Sequence, residues 1–138
     1  MSRRAVLLLA GFLGLAGVAI GAFGAHTFKA LLTARQTLPL WEKGVFYQMI
    51  HAVVLLWLAS QGSGRIPAFP VLSLTLGVVF FSGSLYVLAL CGEPFCMAGC
   101  PALMPLRVAL VLATPLGGLL FLAGWFWIAF RAFKSWSA

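Results

Sequence analysis

The chain has 138 residues, 63% of them hydrophobic and only 8% charged, with nine Lys and Arg against two acidic residues for a net charge of +7. So few charges cannot cover a water-facing surface, which excludes an ordinary soluble domain, and so much apolar area excludes a disordered chain. At about 20 residues per bilayer crossing, four helices with short loops use nearly the whole length and leave nothing for a separate catalytic domain.

The expected fold class is all-α: a polytopic membrane protein forming a single four-transmembrane-helix bundle over residues 1–138, with spans near 5–25, 44–60, 71–91 and 108–130. The first apolar stretch has Arg3 and Arg4 before it and Ala22-Phe23-Gly24 near its end, as a signal peptide would. Its run of about 20 apolar residues is longer than a usual signal core of 7–15, so a retained helix is expected. Gly14, Gly17, Gly21 and Gly24 recur at spacings of three and four along one face of it, with Gly11 one turn earlier. In lipid, helices gain little from apolar burial against one another, so small residues that let backbones approach mark packing faces. Gly117 and Gly124 offer matching positions in the fourth span, and Gly77 and Gly83 in the third. The seam serves either packing inside the bundle or self-association.

Residues 26–43 follow as an amphipathic connector, in which Phe28, Leu31 and Leu32 stand beside Lys29 and Arg35, a pattern suited to the membrane interface. In the second span Tyr47, Gln48 and His51 share a helical face, since they stand three and four residues apart. Residues 60–70, SQGSGRIPAFP, read as a loop from their Ser, Gly and Pro content. The third span carries Ser82, Ser84 and Tyr86 toward its end, and the fourth carries Thr114 about 10 Å in from its start. With His26, these residues gather in one half of the membrane, whichever way the chain is inserted; Ser73 and Thr75 are the exceptions in the other half. An ionisable residue inside a membrane is costly to keep, which makes His51 the leading functional candidate. The plainer alternative is that His51 bonds Tyr86 or a serine and fastens the bundle.

The loop 91–107 holds all three cysteines, Cys91, Cys96 and Cys100. Two of them form a disulfide if the loop faces an oxidising space; a zinc site is disfavoured by the C-x4-C-x3-C spacing. A haem held by His26 and His51 is disfavoured because the two are not level. No cofactor and no metal are expected. The nine basic residues lie at or near the ends of apolar runs, where they anchor at headgroups; none forms a stripe along a phosphate backbone, so no nucleic acid is expected as a partner. Glu42 and Glu93 are the only carboxylates, and neither GxSxG nor HExxH nor a phosphate-binding glycine loop occurs, so no enzyme is expected. Arg3 and Arg4 favour cytoplasmic termini, although the basic residues are split five to four between the two sides.

Gly21-Ala22-Phe23-Gly24-Ala25-His26, Trp41-Glu42, Tyr47-Gln48, His51-Ala52, Phe81-Ser82-Gly83-Ser84-Leu85-Tyr86, Thr114-Pro115-Leu116-Gly117-Gly118 and Gly124-Trp125 stand in this order along the chain. This series resembles the domain of unknown function 423 family, small four-helix membrane proteins of bacteria with similar proteins in animals, over nearly the whole chain. The resemblance implies a multi-pass bacterial inner-membrane protein and brings no activity, cofactor or catalytic residues with it. The cysteine-bearing loop departs from that pattern. Two functions remain in view. One is a non-enzymatic accessory or assembly subunit, partnered by lipid and by a membrane protein or a second copy of itself. The other is binding or transport of a small polar, quinone-like or protonated ligand at the cluster around His51.

Overall fold

The structure is a computed structural model and describes residues 1–61, 64–91 and 104–136. Its elements are α1 (Arg3–Ala25), a short α2 (Lys29–Ala34), α3 (Leu38–Ser60), α4 (Ala68–Cys91) and α5 (Met104–Trp136), with no strand among the described residues. Four of these, all but α2, are long and apolar enough to cross a bilayer. Alternate crossings put the α1–α3 connector, the end of α4 and the start of α5 at one end of the bundle, called here the loop end.

Local chemistry sets the helix ends. The Ser2 side chain accepts from the Ala5 amide and caps α1. α2 closes with a Schellman pattern: Gln36 adopts φ 56°, its amide bonds Thr33, and the Thr37 amide reaches back to Leu32. Pro39 falls in the first turn of α3, where its missing N–H costs nothing. The helix therefore starts at Leu38, six residues before the span expected from the apolar run, and the connector between α1 and α3 covers residues 26–37. At the far end of α3, the main chains of Met1 and Ile66 bond each other in both directions and tie the N-terminus to the loop before α4.

The helices pack in sequence: α1 on α3, α3 on α4, α4 on α5. Missing side chains make the closest approaches. A Cβ on Gly24 would collide with the Trp41 indole, one on Gly17 would stand 2.6 Å from Met49 Sδ, and one on Gly124 would stand 2.6 Å from Leu74 Cδ2. Gly21 sits at ordinary contact distance, 3.4 Å, from Val45. Gly14 departs from the expected seam: among the described residues nothing lies within 4 Å of the position its Cβ would take, nor of that of Gly11. Toward the N-terminus the buried face of α1 is formed instead by Val6, Ala10 and Leu13.

α4 and α5 are both irregular where they meet. α4 runs through a π-helical turn at Val78–Ser82, one extra residue in the coil. Opposite it α5 contains Pro115, and a Cβ on Gly117 would run into the Phe81 backbone. Main chain touches main chain here, and the Phe81 ring is directed toward α3, 4.5 Å from the Tyr47 ring between centroids. Outward faces carry Leu, Val, Phe and Trp side chains throughout, from Phe12 and Leu15 on α1 to Leu122 and Phe126 on α5, as contact with hydrocarbon requires.

Candidate functional site

Apart from Ser73 and Thr75, whose hydroxyls donate to the Leu120 and Val71 carbonyls, the polar residues singled out within the spans fall into three groups. Gln48 is 3% exposed and joins three helices. Its Nε2 donates to the Leu13 carbonyl of α1 at 2.8 Å, and its Oε1 accepts from the Tyr86 hydroxyl of α4 at 2.9 Å. Tyr86 also packs against Trp41, whose indole N–H donates to the Ile20 carbonyl at 3.0 Å. A Cβ on Gly44 would stand 2.7 Å from the Tyr86 ring, so the glycine on α3 makes room for it. Thr37 adds a buried bond from its hydroxyl to the Ala89 carbonyl at 2.9 Å.

His51 forms the second group. Counted from Leu38, it lies ~20 Å along α3, near the middle of that helix rather than toward its loop end. Its Nδ1 is 2.7 Å from the Tyr47 carbonyl, and its Nε2 is 3.2 Å from the Trp125 indole N–H. A carbonyl can only accept and an indole N–H can only donate, so these partners select the tautomer protonated at Nδ1. The imidazole lies flat on the Phe121 ring, centroids 3.6 Å apart and planes 3° from parallel. The bond expected from His51 to Tyr86 or a serine is thus made instead to Trp125 on α5. An iron or zinc ion at Nε2 would have to displace that indole.

In the third group the Ser84 hydroxyl meets Thr114 Oγ1 at 2.7 Å across α4 and α5. Ser82 is fully buried in the π-turn, and its hydroxyl has no hydrogen-bond partner among the described residues. His26 does not join any group: it ends α1, and its side chain is exposed. Of the cysteines, Cys91 closes α4, while Cys96 and Cys100 lie outside the described residues, as does any disulfide they form.

The spacing of α3 and α5 opens a space beside His51. Their contact runs through side chains, and a groove of about 670 Å³ remains, lined by Phe46, Tyr47, Ile50, His51, Phe81, Pro115, Gly118, Leu119, Phe121, Leu122 and Trp125. Its rim residues Phe46, Leu119 and Leu122 are exposed on the outward face, so the groove opens sideways to hydrocarbon. Its floor is aromatic, with the Tyr47 ring beside the His51–Phe121 stack, 6.1 Å from the His51 ring and 5.8 Å from the Phe121 ring. The Tyr47 hydroxyl makes no hydrogen bond among the described residues. Of the polar residues singled out from the sequence, only Tyr47 and His51 line this groove. Phe121 and Trp125 were not among the expected cluster, although both belong with it; their spacing of four, and the spacing of eleven from Thr114 to Trp125, would have placed them on one face. No group of three or more metal-ligating side chains occurs among the described residues.

Comparison with known proteins agrees with this architecture. The family model described as a protein of unknown function, DUF423, matches residues 20–118. A UPF0382 membrane protein of Staphylococcus haemolyticus is 36% identical over 130 residues, 93% of this chain and 94% of the relative. The UPF0382 membrane protein of Haemophilus influenzae is 34% identical over 135 residues, covering 96% and 97%. The UPF0382 inner membrane protein YgdD of Escherichia coli K12 is 38% identical over 128 residues, covering 91% and 86%. No solved structure matches the chain.

Proposed function

The chain belongs to the DUF423 family of membrane proteins, and from that premise we propose that it binds, without transforming, a lipid-soluble molecule with a flat, carbonyl-bearing head of the quinone kind. The observation that carries this reading is the groove of about 670 Å³ between α3 and α5, open to lipid and floored by stacked rings. Its size lies within the range of small-molecule sites, about 300–1,000 Å³. A planar head would lie on this aromatic floor, and the unengaged Tyr47 hydroxyl would donate to its carbonyl. His51, with both ring nitrogens already bonded, holds Tyr47 and Trp125 in place rather than meeting the ligand. Both termini lie in the cytoplasm in this reading, which Arg3 and Arg4 ahead of α1 support.

The test is a titration of protein in lipid nanodiscs with a short-chain ubiquinone analogue, read by quenching of tryptophan emission. Saturable quenching that is largely lost in Trp125→Phe, with affinity reduced roughly three- to ten-fold in Tyr47→Phe, is expected from the loss of one neutral hydrogen bond. Quenching no greater than partition into empty nanodiscs would sink the reading.

A second reading, an accessory or assembly subunit acting through helix–helix association, is favoured by one observation: side chains at Gly11 and Gly14 of α1 would meet nothing within 4 Å among the described residues. Native mass spectrometry of protein extracted gently from its own membrane decides it. A partner chain or a second copy in the spectrum supports it; a strictly single chain removes its support.

A further inference from the structure

A second groove, of about 630 Å³, lies between α1, α2 and α3 at the loop end, on the other side of α3 from His51. On α3 its wall is Glu42, Val45, Phe46 and Met49, spaced three and four apart and therefore one continuous face. Gly21 and Gly24 form the α1 wall, so main chain rather than side chain bounds it there. From Glu42 to Met49 the groove descends ~10 Å, passing from the level of Trp41 at the boundary into the apolar span.

The mouth of this groove carries one charge of each sign. Lys29 opens α2, Glu42 stands one turn into α3, and both line the same space. Yet they form no ion pair with each other, nor does either bond another side chain among the described residues. Two opposite, unpaired charges at the mouth of one apolar groove are complementary to a molecule that has an anionic group and a cationic group joined to a hydrocarbon tail.

We propose that this groove is a binding site for a phospholipid with a primary-amine headgroup, of the phosphatidylethanolamine type. The Lys29 ammonium takes the phosphate, and the Glu42 carboxylate accepts hydrogen bonds from the headgroup ammonium. One acyl chain lies along Val45 and Met49 against the bare α1 backbone at Gly21. The pairing distinguishes headgroups: a choline cannot donate to Glu42, and a glycerol headgroup leaves the carboxylate beside a net negative lipid. The assignment is independent of the groove at His51.

The full chain in a mild detergent, offered equal amounts of phosphatidylethanolamine, phosphatidylcholine and phosphatidylglycerol with identical acyl chains, tests it by native mass spectrometry. The ethanolamine lipid is expected to be retained at least five-fold over the other two. Glu42→Gln should bring ethanolamine and choline lipids to parity, and Lys29→Gln should lower retention of both. Both positions are exposed, so unchanged helical circular dichroism verifies folding of each variant. Equal retention of the three lipids by the native chain, preference for the glycerol lipid, or a preference that survives Glu42→Gln would each overturn the assignment.

Discussion

Gln48 and Ser82 are both buried polar side chains in a membrane, and their bonding predicts opposite responses to substitution. Gln48 fastens α1 and α4 to α3 through two bonds. Interhelical hydrogen bonds in membranes average about 0.6 kcal/mol, so Gln48→Leu should cost on the order of 1 kcal/mol, seen as a lower denaturation midpoint in mixed detergent. The Ser82 hydroxyl has no partner among the described residues, so Ser82→Ala removes an uncompensated burial cost. That variant should be neutral or more stable by up to about 1 kcal/mol. A loss of stability instead would show that the hydroxyl is engaged. His51, Tyr47, Gln48, Ser84, Tyr86 and Thr114 could be picked out in the sequence because polar residues are rare in apolar runs. Their partners could not. Trp125 hides among the other aromatics of an apolar span, and main-chain acceptors such as the Leu13 and Tyr47 carbonyls leave no trace in residue type.

At the scale of the element, the glycines of α1 behave differently along one helix. Gly24→Ala should destabilise by about 1–3 kcal/mol, since the new methyl group must displace Trp41 and its bond to Ile20. Gly14→Ala should change stability little, or raise it slightly through helix propensity. Equal losses at both positions, measured by the same detergent unfolding, would show that the whole seam is packed. Gly117→Ala should be the most damaging of the three, because its obstacle is the Phe81 backbone, which cannot rotate aside. Helix spans were legible from hydropathy because each crossing is uniformly apolar. The start of α3 was not, since Leu38 to Lys43 mixes polar and apolar residues, and only Pro39 marked a first turn. The π-turn in α4 carries no sequence signal of its own: Val78 to Ser82 reads as ordinary helix, and the close approach of Gly117 on α5 to Phe81 depends on a tertiary contact.

For the whole molecule, packing in sequence produces two antiparallel pairs, α1 with α3 and α4 with α5. Between the pairs run the bonds from Thr37 to Ala89, Tyr86 to Gln48 and Trp125 to His51. With an even number of crossings, a reporter that is active only in the cytoplasm should give the same result at either end of the chain, and Arg3 and Arg4 predict that it is active. Activity at one end only would rule out four crossings.

The pairing also bears on how the chain is made. Each pair is contiguous, so the first hairpin has its main packing partner as soon as Ser60 has been synthesised, without waiting for α4 or α5. Joining the pairs is then a later event in the bilayer, guided by a few polar bonds that would otherwise face hydrocarbon. A chain cut between Ser60 and Ala68 and expressed as two fragments should therefore reassemble, and losing Gln48 should impair that reunion more than it impairs either half.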